Sequence, residues 1–169
     1  RLLPDRLADR RVRVVNTDGR RYAQCGDGPY ELAIVDMPAP ATAQLNRYYT
    51  AEFFAEIKRV LEPDGVVVFG LGQYDNYISS DLARMLASAA RTLRLSFGSV
   101  LLLPAGKVWF LASDGPLTPS VGDRLRQTGV ATQWMRPSYL DAMLTAERLA
   151  AVESAADLPA PLNTNFRTV

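Results

Sequence analysis

Histidine is absent from the 169 residues, and cysteine appears once, as Cys25. The first absence removes the commonest metal ligand and the commonest general base near neutral pH. The second excludes an internal disulfide framework. Acid–base chemistry therefore falls to carboxylates, tyrosines and lysines, no metal is expected, and Cys25, with no histidine to activate it, reads as a small packed residue. Long hydrophobic runs are missing as well. The longest, Val66 to Leu71 and Val100 to Pro104, fall far short of the roughly 20 residues a membrane helix needs, and nothing at the N-terminus resembles a signal peptide. Charge of one sign is also lacking: a formal net charge of +1 gives no electrostatic case for nucleic acid, and Arg10, Arg11, Arg13, Arg20 and Arg21 form a local cluster rather than a basic domain.

What is present is an ordinary globular mixture, 48% hydrophobic and 22% charged, long enough for one domain with a sizeable core. Val12 to Val15 reads as a strand, and "TDGRRYAQC" as a turn into a short helix with Asp18 as N-cap. Leu32 to Val35 is a second strand, ending on Asp36 and a proline-marked loop. Thr50 opens a helix to Leu61, with Phe53, Phe54, Ile57, Val60 and Leu61 at helical spacing and Glu52 in the first turn, where a negative charge suits the dipole. "EPDG" stops it. Val66 to Leu71 has the continuous apolar character of a doubly buried strand, and Ser80 to Leu93 is the next helix.

Strands separated by helices imply a parallel sheet covered on both faces. "FGSVLLL" and "KVWFLAS", separated by "PAG", then read as a hairpin, which makes one end of the sheet antiparallel. Beyond Ser113 the pattern is helical. Thr118 and Pro119 serve as N-cap and first position of a helix to Gln127, Gly129 ends it, and helices near Ser138 to Thr145 and Ala146 to Ala155 precede the tail. The expected organisation is a domain over residues 1–113 and a helical extension with tail over residues 114–169, packed on the same domain. Asn163, Asn165 and Arg167 offer that tail polar contacts for docking across the sheet edge.

In open parallel sheets ligands bind beyond the carboxyl ends of the strands. That selects Asn16 to Asp18, Asp36 to Pro40 and Gly70 to Tyr74 as the walls of one crevice. Asp36 reads either as a turn-forming acid or as a catalytic one, whereas capping accounts fully for Asp18. Gly70 and Gly72 in "FGLGQ" make no complete phosphate-binding fingerprint, and Tyr48 and Tyr49 read as packing residues rather than proton carriers.

"VNTDGRRYAQ", "YELAIVDMPAP", "YYTAEFFAEIKRVLEPDGVVV" and "LLLPAGKVWFLAS", in that order and spacing, resemble the spermidine synthase family of polyamine aminopropyltransferases. The resemblance covers Arg11 to Ser113. It implies part of the Rossmann-like, α/β fold of S-adenosylmethionine-dependent methyltransferases, with a mostly parallel sheet ending in an antiparallel hairpin and C-terminal helices after it. The implied substrates are a nucleoside, decarboxylated S-adenosylmethionine or S-adenosylmethionine itself, and a small amine, with no metal and no nucleic acid. Asp18 and Gly19 then lie at the adenine, and Asp36 is the nucleotide-side and catalytic acid that takes a proton from the attacking amine. The loop from Met37 to Tyr49 is a flap, with Tyr49 and, beyond the next strand, Gln73 as substrate-binding residues.

The resemblance is broken at several positions. Ala39 stands where the family carries a second acid, Gly70, Leu71 and Gly72 where it has an acidic segment, and Leu103 where it often has tyrosine. Each lost group would face a cationic acceptor, and burying an ammonium without a partner costs several kcal/mol, so putrescine is a poor fit. The family's glycine-rich loop and ribose-binding acid have no counterpart after Arg1. That implies a partial domain, inactive alone, with a sheet edge that a homodimer would cover. The tail resembles bacterial members fused behind a membrane-spanning portion, which would make this a cytoplasmic domain. Two further readings stay open: a methyltransferase with a less cationic acceptor, and a non-catalytic nucleotide-sensing module of a membrane protein.

Overall fold

In the computed structural model, which describes residues 9–75 and 77–166, the apolar periodicity is realised by helices lying against a short sheet. Three strands, β1 (Tyr30–Val35), β2 (Leu61–Tyr74) and β3 (Ser99–Ser113), lie in the order β1-β2-β3. β1 runs parallel to β2, with Leu32 beside Val66 and Val35 beside Phe69. β3 is antiparallel to β2, with Phe69 opposite Phe110 and Leu71 opposite Val108. The stretch that reads as a hairpin is the single element β3, with Gly106 of its "PAG" segment at φ +67°.

Helix α1 spans Gly19–Cys25, α2 Ala43–Asn46, α3 Ala51–Arg59 and α4 Ser80–Leu93. Side-chain oxygens cap all four: Asp18 accepts from the N–H groups of Arg20 and Arg21, Thr42 from Leu45, Thr50 from Phe53 and Ser79 from Leu82. Each cap satisfies donors that a helix start leaves open. α3 turns Phe53, Phe54 and Ile57 inward, and α4 turns Leu82, Leu86 and Leu93 inward. Phe54 stacks on Phe69 at 5.5 Å between ring centroids, and Phe69 stacks on Phe110 at 4.9 Å. The core therefore sits between these helices and one face of β2 and β3.

Several expectations change. Val12 to Val15 forms no strand; its valines are exposed and, among the described residues, no strand pairs with it. Without a partner the extended backbone has no ladder to join. α3 ends at Arg59 rather than Leu61, because the Tyr30 N–H takes the Val60 carbonyl (2.8 Å) and Leu61 becomes the partner of Tyr30 in the sheet. "EPDG" is accommodated as an irregularity inside β2. Among the described residues, none covers the outer face of β1: Leu32 and Ile34, which alternate away from the core, are 52% and 65% exposed.

The C-terminal helices are α5 (Val121–Thr128), α6 (Pro137–Met143) and α7 (Ala146–Ala156). α5 begins two residues after Pro119, since the Thr118 hydroxyl accepts from the Ser120 N–H and the Pro119 carbonyl from Val121, closing a turn first. Gly129, at φ +63°, terminates it as expected. α7 packs on α4 and β3 with Val152 fully buried. The following segment straps across the domain: the Pro161 carbonyl accepts from Ser88, the Ala160 carbonyl from Arg91, and the Asn163 N–H donates to Thr92. Arg167 lies outside the described residues.

Candidate functional site

Asp36 follows the last residue of β1, at the carboxyl end of the parallel pair. It lines a cleft of about 350 Å³ that also contains Gly19, Tyr22, Val35, Met37 and Tyr48. Gly19 opens α1, directly after the Asp18 cap, whereas Asn16, Thr17 and Asp18 themselves are not among the residues that line the cleft. Gln73 does not join them. It is exposed and lines a separate cavity of about 450 Å³ with Gly72, Asp75, Tyr77 and Asp81. The reason is Gly72: its φ of +63° coincides with the register break between Leu71 and Tyr74, which carries Gln73 out of the strand's alternation.

Asp18 is more heavily engaged than its cap requires. One carboxylate oxygen accepts from the Arg20 N–H (3.0 Å) and the Arg21 N–H (3.1 Å). The other pairs with the Arg47 guanidinium and accepts from the Tyr48 hydroxyl at 3.3 Å. The Arg21 N–H first and the Arg47 guanidinium second hold this carboxyl below its ordinary 3.8. Any hydrogen-bond donor reaching this oxygen of Asp18 must therefore share or replace Arg47. Below this pair, Arg20 forms a two-pronged ion pair with Glu56 (2.8 and 3.0 Å) and donates to the Arg47 carbonyl and to Asn165 Oδ1. Arg20 thus ties the helix that begins at Asp18 to α3 and to the tail.

Tyr49 lines a larger chamber, which shares no lining residue with Asp36's cleft. Its ring meets Phe69 edge-on at 5.6 Å, and its hydroxyl is within donating distance of the Met37 carbonyl (3.0 Å) and the Pro38 carbonyl (2.9 Å). Burial, and secondarily the Asp36 charge, push its phenol up to about 12. The residue is 2% exposed, so Tyr49 presents its hydroxyl to the loop rather than to open space. Beyond it lies a chamber of about 650 Å³ between Ala39, Pro40 and Ala41 of the loop, the Met85 side of α4, and Pro161 and Asn163 of the strap.

Arg47 and Asn46 escape the sequence reading, as do the Tyr48 hydroxyl's contact with Asp18 and the identity of Asn163's partner. The loop from Met37 to Tyr49 contains α2, whose four residues are too few to show a helical period. A buried amide paired with another far along the chain leaves no local signal. Among the described residues, no group of three or more His, Cys, Asp or Glu side chains could hold a metal, and no helix is long and apolar enough to cross a membrane.

A family model described as spermine/spermidine synthase domain matches residues 3–102. A polyamine aminopropyltransferase of Pyrobaculum calidifontis is 34% identical over 138 residues, 73% of this chain and 47% of the relative. Polyamine aminopropyltransferase 1 of Streptomyces coelicolor is 38% identical over 66 residues, 39% of this chain and 12% of the relative. The chain therefore spans about half, or less, of the curated relatives it matches. The crystal structure of spermidine synthase from Thermotoga maritima superposes with a TM-score of 0.63 at 19% identity, covering 90% of this chain and 52% of that one. A spermidine synthase in complex with the transition-state analogue AdoDATO gives 0.67 at 18% identity, covering 90% and 53%. At these identities the two structures establish the shared fold alone.

Proposed function

The chain belongs to the spermine/spermidine synthase domain family, and on that premise we propose that it carries an aminopropyltransferase site with a divergent acceptor side. The donor is decarboxylated S-adenosylmethionine. One observation carries the reading: Asp36, at the end of β1, and Gly19, next to the Asp18 cap, line the same cleft. An ammonium has no lone pair with which to attack. Asp36 holds that cation and accepts its proton, and the freed nitrogen forms a bond to the propyl carbon next to the sulfonium. The carbon–sulfur bond breaks, its electron pair stays on sulfur, and a neutral thioether leaves. Asp18 and Gly19 face the adenine, and the loop after Asp36 excludes water as it closes. Tyr49 contributes by holding that loop, and Gln73 contacts substrate only where a ligand extends into the neighbouring cavity.

Methyl transfer from S-adenosylmethionine is the second reading of this cleft, favoured by the alanine at position 39 in the chamber wall. Incubation of the protein with an amine and each donor separates the two, because the product's mass identifies the group added. Asp36→Asn should abolish transfer while leaving nucleoside binding within roughly twofold, less than the tenfold that about 1.4 kcal/mol would bring. Unchanged turnover in that variant removes Asp36 from the mechanism.

A further inference from the structure

Helices α5 and α6 pack on each other as a helical hairpin. Gly122 of α5 is buried against Asp141 and the Pro137 carbonyl of α6, and the Arg126 guanidinium bridges Asp123 and Asp141. The turn that joins the helices, residues 129–136, is exposed at every position, although the Thr132 hydroxyl donates to the Met135 carbonyl within it. It carries Val130, Trp134 and Met135, and Tyr139 follows in the first turn of α6. All four side chains face solvent, Trp134 at 83% exposure. The charges around this tip are largely of one sign. From Val121 to Leu140 the chain has Arg124, Arg126 and Arg136 against a single acid, Asp123. Asp123 and Asp141 are both held by Arg126, and among the described residues no carboxylate pairs with Arg124 or Arg136.

Grouped apolar side chains left in water mark a surface that something else covers. The unpaired arginines say what kind of surface that is. A second copy of the hairpin would bring the same free cations to the contact, and like charges repel. An anionic lipid surface answers both halves of the tip. The indole, thioether and phenol have apolar bodies that enter the boundary between headgroups and acyl chains, and Trp and Tyr keep a polar edge for the headgroup side. Arg124 and Arg136 lay their stems along that boundary and turn their guanidiniums to lipid phosphates, which they can bind with two hydrogen bonds each. We propose that the tip of the α5–α6 hairpin, from Val130 to Tyr139 with Arg124 and Arg136, is a peripheral docking site for an anionic lipid surface. The contact lies outside both the Asp36 cleft and the chamber, and it stands whichever group the cleft transfers.

Sedimentation of the full chain with vesicles tests this, using phosphatidylcholine alone and phosphatidylcholine mixed in equal parts with phosphatidylglycerol. The protein should pellet with the mixed vesicles and stay in solution with the neutral ones. The chain has two tryptophans, and Trp109 is half-buried with its indole N–H on the Ala105 carbonyl, so Trp109→Phe leaves Trp134 as the reporter. Its emission should shift to the blue on mixed vesicles only. Trp134→Ala should weaken binding by at least roughly tenfold, the scale of one large apolar side chain leaving water. Arg136→Gln should weaken it about fivefold, the worth of one basic residue at an anionic surface. Both substitutions are at exposed positions and should keep the parent's denaturant midpoint. Absence of binding to mixed vesicles, equal binding to both kinds, or binding that Trp134→Ala leaves unchanged would each overturn the proposal. A blue shift of Trp134 that grows with protein concentration in the absence of vesicles would overturn it in favour of a contact between copies of the chain.

Discussion

Asn46 and Asn163, 117 positions apart, exchange two side-chain amide hydrogen bonds of 2.9 and 2.8 Å, and both residues are buried, at 4% and 6% exposure. The exchange fastens the C-terminal strap to the loop between Asp36 and Tyr49. Asn163→Ala would leave the Asn46 amide and the Tyr49 carbonyl without these partners in a dry site. The expected cost is about 1–3 kcal/mol, read as a lower denaturant midpoint. Replacing both asparagines by leucine removes the orphaned groups along with the bonds, so the double variant should be less destabilised than the sum of the singles. Additive losses would show that the pair is not coupled.

Burial of the Tyr49 phenol has a consequence at high pH. The Tyr49 phenol, pushed up to about 12 by burial and then by Asp36, should ionise only in strong alkali. A group whose folded value is raised contributes stability that is complete below the unfolded value, near 10, and is lost as pH rises through the folded one. Tyrosinate absorbance should therefore show a late phase that Tyr49→Phe removes. The same variant should lose about 0.5–1.5 kcal/mol with the loop bond and reduce turnover more than nucleoside affinity, since the loop it pins begins at Asp36.

The contrast between α4 and the strap explains how much could be read from the chain. Ser80 to Leu93 is legible to the residue because its cap, its apolar face and its limits are local, set by neighbours three and four positions away. The place of Asp36 is legible for a similar reason, since the carboxyl end of β1 follows from strand order, whereas the strand expected before Asp18 does not form and Asp18 is absent from the cleft lining. Val12 to Val15 has strand-like residues, but pairing depends on a partner the local pattern does not contain. Asn163 is one asparagine in a polar tail, and nothing near it announces Asn46. Gln73 shows the same limit on a smaller scale: its position after a strand is evident, yet the cavity it faces depends on the backbone sign at Gly72.

Asp18 links helix capping to acid stability. Its carboxyl lies below its ordinary 3.8, first through the Arg21 N–H and then through Arg47. A depressed folded value means that the stabilisation is fully present above the unfolded value and is lost as pH falls through the folded one. Asp18→Ala should remove the cap and lower the thermal midpoint near neutrality by a few degrees. The variant and the parent should converge in stability as pH falls through the lowered folded value, where the parent's carboxyl is also protonated. Thermal midpoints measured from neutrality downwards give the comparison, and a difference that persists undiminished in acid would mean that the ionised cap is not the source.

Gly72 and Gly106 share a left-handed backbone, at φ +63° and +67°, but not a neighbourhood. A β-carbon on Gly106 would meet nothing within 4 Å, whereas one on Gly72 would lie 2.4 Å from Leu82 Cδ1 and 3.1 Å from Met85 Cε. Gly106→Ala should therefore show the backbone cost alone, about 1–2 kcal/mol. Gly72→Ala adds overpacking against a leucine that is itself 8% exposed and held in the core, worth about a further 1–3 kcal/mol. The difference between the two midpoints isolates the contact with α4. Equal destabilisation by the two substitutions would show that Leu82 and Met85 move aside freely and that Gly72 serves the chain turn alone.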